Sequence, residues 1–254
     1  LKARDFGAVV LLDPLSIRYA AGVRNCTLFQ MHIKAGYLFI PAEGPVVYFD
    51  SEPGRFTGAQ LETIDEIRDD LMPLSYMFGG DRTDEWIQKW AWVMADLVER
   101  HCGGNRRFAM EKADIATTRA LENTGLEIFD SGEIMAQARL IKCPEEILCM
   151  NQVIAVAEDG MSRMRANLRP GITETDLWSH MWQANIEGGG EWIDYRLLAS
   201  GERTNPWQQE ASSRMIRPGD LVCFDCGMVG PFSYGADISR AFFCGPGKPS
   251  DYQK

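Results

Sequence analysis

Phe224-Asp225-Cys226-Gly227-Met228-Val229-Gly230-Pro231-Phe232-Ser233-Tyr234-Gly235-Ala236-Asp237-Ile238-Ser239-Arg240 is the stretch that decides the fold of this chain. Two short apolar runs flank a loop rich in Gly and Pro, and each run carries one aspartate. Leu221-Val222-Cys223-Phe224 reads as a buried strand, and Ala236 to Phe243 reads as its return. A hairpin of that shape brings Asp225 and Asp237 together across the ladder, facing one spot. Two inward carboxylates at close range repel and need compensation, which a divalent cation supplies. The alternative at this point is a pair of solvated turn aspartates, since Asp is common in turns.

The whole chain sets the bounds. Its 254 residues suffice for one large domain or two ordinary ones, and 45% apolar with 24% charged residues are globular values that predict a core. The net charge of −10, with no Lys/Arg run, argues against non-specific nucleic-acid binding. The seven cysteines are scattered singly, without CxxC or zinc spacing. They read as reduced core residues of a cytoplasmic protein, with no disulfides expected. No stretch reaches the apolar length of a membrane span. Leu1 is not a methionine, and Pro249-Ser250-Asp251 resembles a capped helix start that stops short of one turn. The expectation is a fragment open at both ends.

Outward from the hairpin, the carboxyl-terminal half predicts helices before it. A second unit starts near Arg139. Pro144 suits a first helical turn and is followed by Glu145 and Glu146 at the positive helix end. Ile147, Met150, Ile154, Ala157, Met161 and Met164 then form an apolar face. Thr173 and Asp176 resemble a capping box with Ile172 and Leu177 as its staple. Leu177, Trp178, Met181, Trp182 and Ile186 give that helix a wide buried face, and Gly188-Gly189-Gly190 ends it before a strand near 192–199. Upstream, Ala8 to Leu12 reads as a strand, and Gly36–Pro41 with Pro45–Phe49 as a hairpin. Residues 84–102 form a helix with a tryptophan stripe that reads as core packing. Phe108-Ala109-Met110 is a brief strand, and another helix begins at Ile115. The first 130 or so residues carry no catalytic signal and read as a scaffold.

In order and spacing, these pieces resemble the pita-bread metalloenzymes: Xaa-Pro aminopeptidases and dipeptidases, methionine aminopeptidase and creatinase. The motifs are Arg139 to Ile147, Arg169-Pro170-Gly171-Ile172-Thr173-Glu174, and Arg217-Pro218-Gly219-Asp220-Leu221-Val222 leading into Asp225. The resemblance implies an α/β (α+β) architecture. Residues 1–135 would be a creatinase-type amino-terminal domain, and residues 136–254 a truncated catalytic domain. It makes Asp225 and Asp237 the first two of five metal ligands (Asp, Asp, His, Glu, Glu). The other three are expected beyond Lys254, since His32, His101 and His180 match no ligand position. The implied cofactor is a divalent transition metal (Fe, Mn, Zn or Co), two ions in the full-length protein, and the implied assembly a homodimer.

The substrate side departs from the peptidases. Where they carry a histidine after a Ser-Gly, this chain reads Ser200-Gly201-Glu202-Arg203-Thr204-Asn205-Pro206-Trp207-Gln208. Losing an imidazole removes a proton donor for a leaving group. The stretch is similar to the pita-bread lyases that cleave dimethylsulfoniopropionate, although those carry a further aspartate where this chain has Gly227. Lyase-type chemistry on a small carboxylate substrate is the leading expectation. An Xaa-Pro peptidase acting on short peptides is the alternative, and a non-catalytic pita-bread module the third. Trp207 would hold a sulfonium by cation–π attraction, or else pack in the core beside Pro206. Arg203 would pair with a substrate carboxylate, or else with Glu202 or Glu210 at the surface.

Overall fold

The computed structural model describes residues 1–24, 31–52, 54–251 and 253. It divides into two compact units, Leu1–Ile141 and Lys142–Lys254, so the division falls after residue 135. The physical reason is the helix Gly132–Leu140, whose Met135 is buried in the first unit's core.

The first unit is built on a six-stranded mixed sheet. Its strands are β1 (Ala8–Leu11), β2 (Tyr37–Pro41), β3 (Val47–Phe49), β4 (Glu66–Arg68), β5 (Arg107–Met110) and β6 (Glu127–Asp130), in the order β4-β3-β2-β1-β5-β6. β2 and β3 form the expected antiparallel hairpin, and β1, β5 and β6 run parallel. Its helices of eight or more described residues are α1 (Pro14–Ala21), α2 (Thr83–His101), α3 (Ile115–Glu122) and α4 (Gly132–Leu140). α2 buries Ile87, Trp90, Met94, Leu97 and Val98 against Val10, Phe39, Phe49 and Phe108. On the other sheet face, Ile17 and Ala21 of α1 and Met135 of α4 meet Val9, Leu11, Leu38 and Ala109. A sheet covered on both faces needs continuous apolar strands rather than alternating ones, which is why Ala8–Leu11 is apolar throughout.

α1 and α3 pack on opposite faces after the adjacent parallel strands β1 and β5. Such a switch point is where open α/β sheets hold ligands. Here Glu111 fills it from within, accepting from Leu12 N (3.2 Å), Asp13 N (2.9 Å) and the Ser16 hydroxyl.

The second unit contains α5 (Pro144–Asn167), α6 (Glu174–Glu187), β7 (Trp192–Ile193), β8 (Leu197–Ser200), β9 (Leu221–Val229) and β10 (Gly235–Phe243). β9 is central, pairing with β10 on one side and with both β7 and β8 on the other, all antiparallel. α5 starts with Pro144 in its first turn, and Cys143 N donates to Glu146 Oε2 at 2.8 Å. α6 opens with the predicted reciprocal cap: Asp176 N donates to Thr173 Oγ1 (3.0 Å) and Thr173 N to Asp176 Oδ2 (3.1 Å).

Along β9 the residues alternate. Val222, Phe224, Cys226 and Met228 are buried against Val153, Ala157, Met161 and Met164 of α5 and Leu177, Trp178 and Met181 of α6. Cys223, Asp225 and Gly227 take the opposite face and are half-buried. Both helices therefore cover one face of this sheet, and the two aspartates lie on the other.

Three expectations need correction. The first half of α5 turns Val153, not Ile147 or Ile154, into the core, because the buried stripe runs Val153, Ala157, Gly160, Met161 and Met164 and Ile154 lies one helical step round from it. Ile186 of α6 is 64% exposed, since helical spacing turns it away from the face that carries Leu177, Met181, Ala184 and Asn185. The strand expected over 192–199 is two strands, broken at 194–196 where Tyr195 leaves the ladder. The six described cysteines are free, and Cys26 lies outside the described residues. No described helix is long and apolar enough to cross a membrane.

Candidate metal centre

β9 and β10 pair in continuous register from Leu221↔Phe243 to Val229↔Gly235. Asp225 stands opposite Ser239, and Asp237 opposite Gly227. The two aspartates are thus diagonal neighbours on one face, offset by one pleat, rather than directly opposed. Diagonal pairs remain within reach of side chains that lean together. Ser239 Oγ donates to Asp225 Oδ1 at 3.0 Å, and Tyr195 OH donates to Asp237 Oδ1 at 3.0 Å. Burial, and then the charge of Asp237, push the Asp225 carboxyl above the usual carboxylate range, with Ser239 pulling the other way. Two carboxylates of which one resists ionisation carry a charge penalty that a dication would offset. Their hard oxygen atoms fit a divalent cation as two of its ligands. Among the described residues, no group of three or more His, Cys, Asp or Glu side chains comes together to finish a coordination shell.

The hairpin loop is pinned at its base. Tyr234 OH donates to Glu146 Oε1 (3.0 Å) at the start of α5, and Ser233 Oγ to Glu191 Oε1 (3.1 Å).

Tyr195 was not foreseen from sequence. Its ring fills the notch left by Gly227, where an added Cβ would lie 2.6 Å from Cε1 and 2.7 Å from Cζ. Burial, and then the hydrogen bond to Asp237 and the charge of Asp225, push its phenol up to about 12, so it stays a donor at neutral pH. A glycine inside an otherwise apolar strand is the signal that could have found it, because it marks close approach by another group. Gly227→Ala is expected to destabilise by about 1–3 kcal/mol through this overlap. Urea denaturation should show much of the loss recovered in the Gly227→Ala, Tyr195→Ala double variant. Additive losses would sink the notch explanation.

Arg203 does not face Glu202 or the side chain of Glu210. Its guanidinium pairs with the fully buried Glu174, donates to Ser212 Oγ (3.0 Å), and reaches the backbone oxygen of Glu210 (2.9 Å). The cause is desolvation: a carboxylate with no exposed surface needs a cation, whereas Glu202 is exposed and pairs with Arg214, which holds its carboxyl down to about 2. Trp207 is 40% exposed and belongs to no buried cluster, so it is not core packing. The register does not bring Trp207 or Arg203 onto the aspartate pair.

Residues 148–254 match the model of metallopeptidase family M24. The chain is 35% identical over 251 residues to the dimethylsulfoniopropionate lyase DddP of Roseovarius nubinhibens, spanning 97% of this chain and 56% of that protein. It is 30% identical over 129 residues to the uncharacterized peptidase YqhT of Bacillus subtilis, 50% of this chain and 36% of that one. Among solved structures, an Xaa-Pro dipeptidase from Bacillus anthracis superposes with a TM-score of 0.76 at 19% identity, covering 99% of this chain and 63% of that one. The chain thus spans somewhat over half the length of the lyase it matches. The carboxylate hairpin and the capped α6 thus lie in the residues that match the metallopeptidase family M24 model, and the fold is that of the Xaa-Pro dipeptidase.

Proposed function

We propose that this chain belongs to a metal-dependent lyase that acts on a small carboxylate substrate of the dimethylsulfoniopropionate type. The observation that carries the reading is the extent of similarity. The match to the lyase runs through both units, whereas the match to the curated peptidase covers half the chain. Trp207 and Gln208, where the peptidases would carry histidine, support the same reading.

Asp225 and Asp237 would hold the metal, with Ser239 and Tyr195 fixing the oxygen atoms they present. A divalent cation there supplies Lewis acidity toward a bound carboxylate. Elimination would then need a carboxylate base to take the proton from the carbon next to that carboxylate; the C–H electron pair becomes the carbon–carbon double bond of acrylate as the C–S bond breaks and dimethyl sulfide leaves. The protonated Tyr195 donates to Oδ1 of Asp237 and so fixes the orientation in which that carboxylate would be presented to a cation.

Full-length protein supplied with manganese is expected to release dimethyl sulfide from dimethylsulfoniopropionate, measured by gas chromatography. No sulfide above buffer would discard the reading. The Gly227–Tyr195 contact favours a second one, because the lyases are expected to carry an aspartate at that position. An Xaa-Pro peptidase would instead release the first residue of Xaa-Pro dipeptides under the same conditions.

A further inference from the structure

Residues 201–211 leave the sheet after Ser200, the last residue of β8, and rejoin it at Glu210, which bridges to Leu197 in antiparallel fashion. Leu197 pairs on its other side with Asp225. Asp225, Leu197 and Glu210 therefore form one row across the sheet. Two strand spacings, about 10 Å, separate the backbones at its ends. The loop thus begins and ends beside the strand that carries the first aspartate. Its tip holds little together by itself. Asn205, Pro206, Trp207 and Gln208 are all exposed, and Gln208 has a φ of 75°. A non-glycine residue keeps that left-handed conformation only where its surroundings impose it.

One buried carboxylate closes both ends of the loop. Oε1 of Glu174 accepts from the amide and hydroxyl of Ser200, ahead of the loop. Oε2 accepts from the amide and hydroxyl of Ser212, behind it. Arg203, inside the loop, donates to the same carboxylate and to the backbone oxygen of Glu210 (2.9 Å), so it ties the start of the loop to its end. The amino terminus of α6 adds two bonds to the returning chain: Glu174 N donates to Arg214 O and Thr175 N to Ser212 O, each at 3.1 Å. A compact surface loop with its ends held together in this way is an Ω-loop.

We propose that Glu174 is a positioning residue, which closes residues 201–211 into a preformed loop beside the aspartate pair so that substrate meets the loop already shaped. The proposal rests on the reading that substrate is bound at that face. A carboxylate accepts at about four lone-pair sites on two oxygens, so a single side chain can hold two chain ends at once. A loop closed beforehand has already lost its conformational freedom, and binding need not supply that cost. Glutamine has one accepting oxygen and turns N–H toward the other serine, so it holds one end and repels the other.

Peptide-resolved amide hydrogen exchange on the full-length protein, with steady-state kinetics on dimethylsulfoniopropionate, tests this. Glu174→Gln is expected to speed exchange across 201–211 about tenfold or more relative to β9. It should also raise KM about three- to tenfold with kcat held within about twofold. Ser212→Ala deletes one clamp hydroxyl and keeps the charge, so it should move both readouts the same way by less; it decides the matter if Glu174→Gln does not fold. Met164→Ala opens the core without touching a clamp bond. It should lower global stability and leave the loop-to-β9 exchange ratio and KM unchanged. Loop and β9 exchanging in step in both clamp variants, as a purely stabilising ion pair requires, overturns the proposal. So does a loop that loosens while KM holds. Wild type that releases no sulfide discards the lyase reading alone, because the exchange ratio still decides the clamp.

Discussion

Glu174→Ala is expected to destabilise the protein by about 3–5 kcal/mol, the range for removing one partner of a buried ion pair. Glu174 has no exposed surface, and its carboxylate accepts from Ser200 N (2.8 Å), Ser200 Oγ (2.7 Å), Ser212 N (3.0 Å) and Ser212 Oγ (2.7 Å), besides pairing with Arg203. Alanine would leave a guanidinium and two amides without their acceptor in a dry site. The network extends outward, because Arg214 Nη1 donates to Ser200 Oγ (2.6 Å) and to Asp220 Oδ2 (2.7 Å), just before β9 begins. Burial alone would raise the Glu174 carboxyl, but the hydrogen bonds from Ser200, Ser212 and Arg203 outweigh it and hold it below the usual range.

That sign fixes the pH dependence. The folded pKa lies below the unfolded one, so the stabilisation is complete above the unfolded value, about 4.3, and is lost as pH falls through the folded value. Denaturation followed by tryptophan fluorescence should show a large wild-type advantage over Glu174→Gln at pH 7 that shrinks below about pH 4. A Glu174→Ala cost under about 1 kcal/mol would place this carboxylate among the ordinary surface groups.

Local chemistry made much of the fold legible. The Thr173–Asp176 cap, Pro144 in the first turn of α5 and the paired strands around the Gly230 to Gly235 loop all involve residues close in sequence. The aspartate pair was legible for the same reason, since one hairpin carries both members. Glu174 was visible only as part of a motif, because Ser200 and Ser212, 26 and 38 positions away, decide its burial. Tyr195 and Asp237 are 42 positions apart, and the row from Asp225 to Glu210 exists only through two strand pairings. Helical periodicity located α5, but which face and which turns of it are covered is decided by the elements packed against Val153, Ala157, Met161 and Met164. That is a tertiary property, and it left Ile147 and Ile154 outside the core.

Asp225→Asn and Asp237→Asn are each expected to abolish metal-dependent turnover, beyond the tenfold to hundredfold that loss of an outer-shell partner such as Tyr195 costs in a metal site. The same changes should leave metal-free protein as stable as wild type or more so, by up to about 1 kcal/mol. The opposite signs follow from one geometry. Burial and the neighbouring Asp237 disfavour the charged form of Asp225, so a neutral amide relieves a penalty that only a cation otherwise offsets. An amide oxygen is also a weaker donor to a divalent ion than a carboxylate, so the relief comes at the expense of binding. Tyr195→Phe divides the roles further: it removes the donor to Asp237 while keeping the ring that fills the Gly227 notch. Manganese titration, sulfide release and thermal unfolding with and without chelator give the three readouts. If Asp225→Asn destabilised the chelated protein while retaining manganese, the pair would be a structural hydrogen-bonding element, and the open face of this sheet would not be where the metal binds.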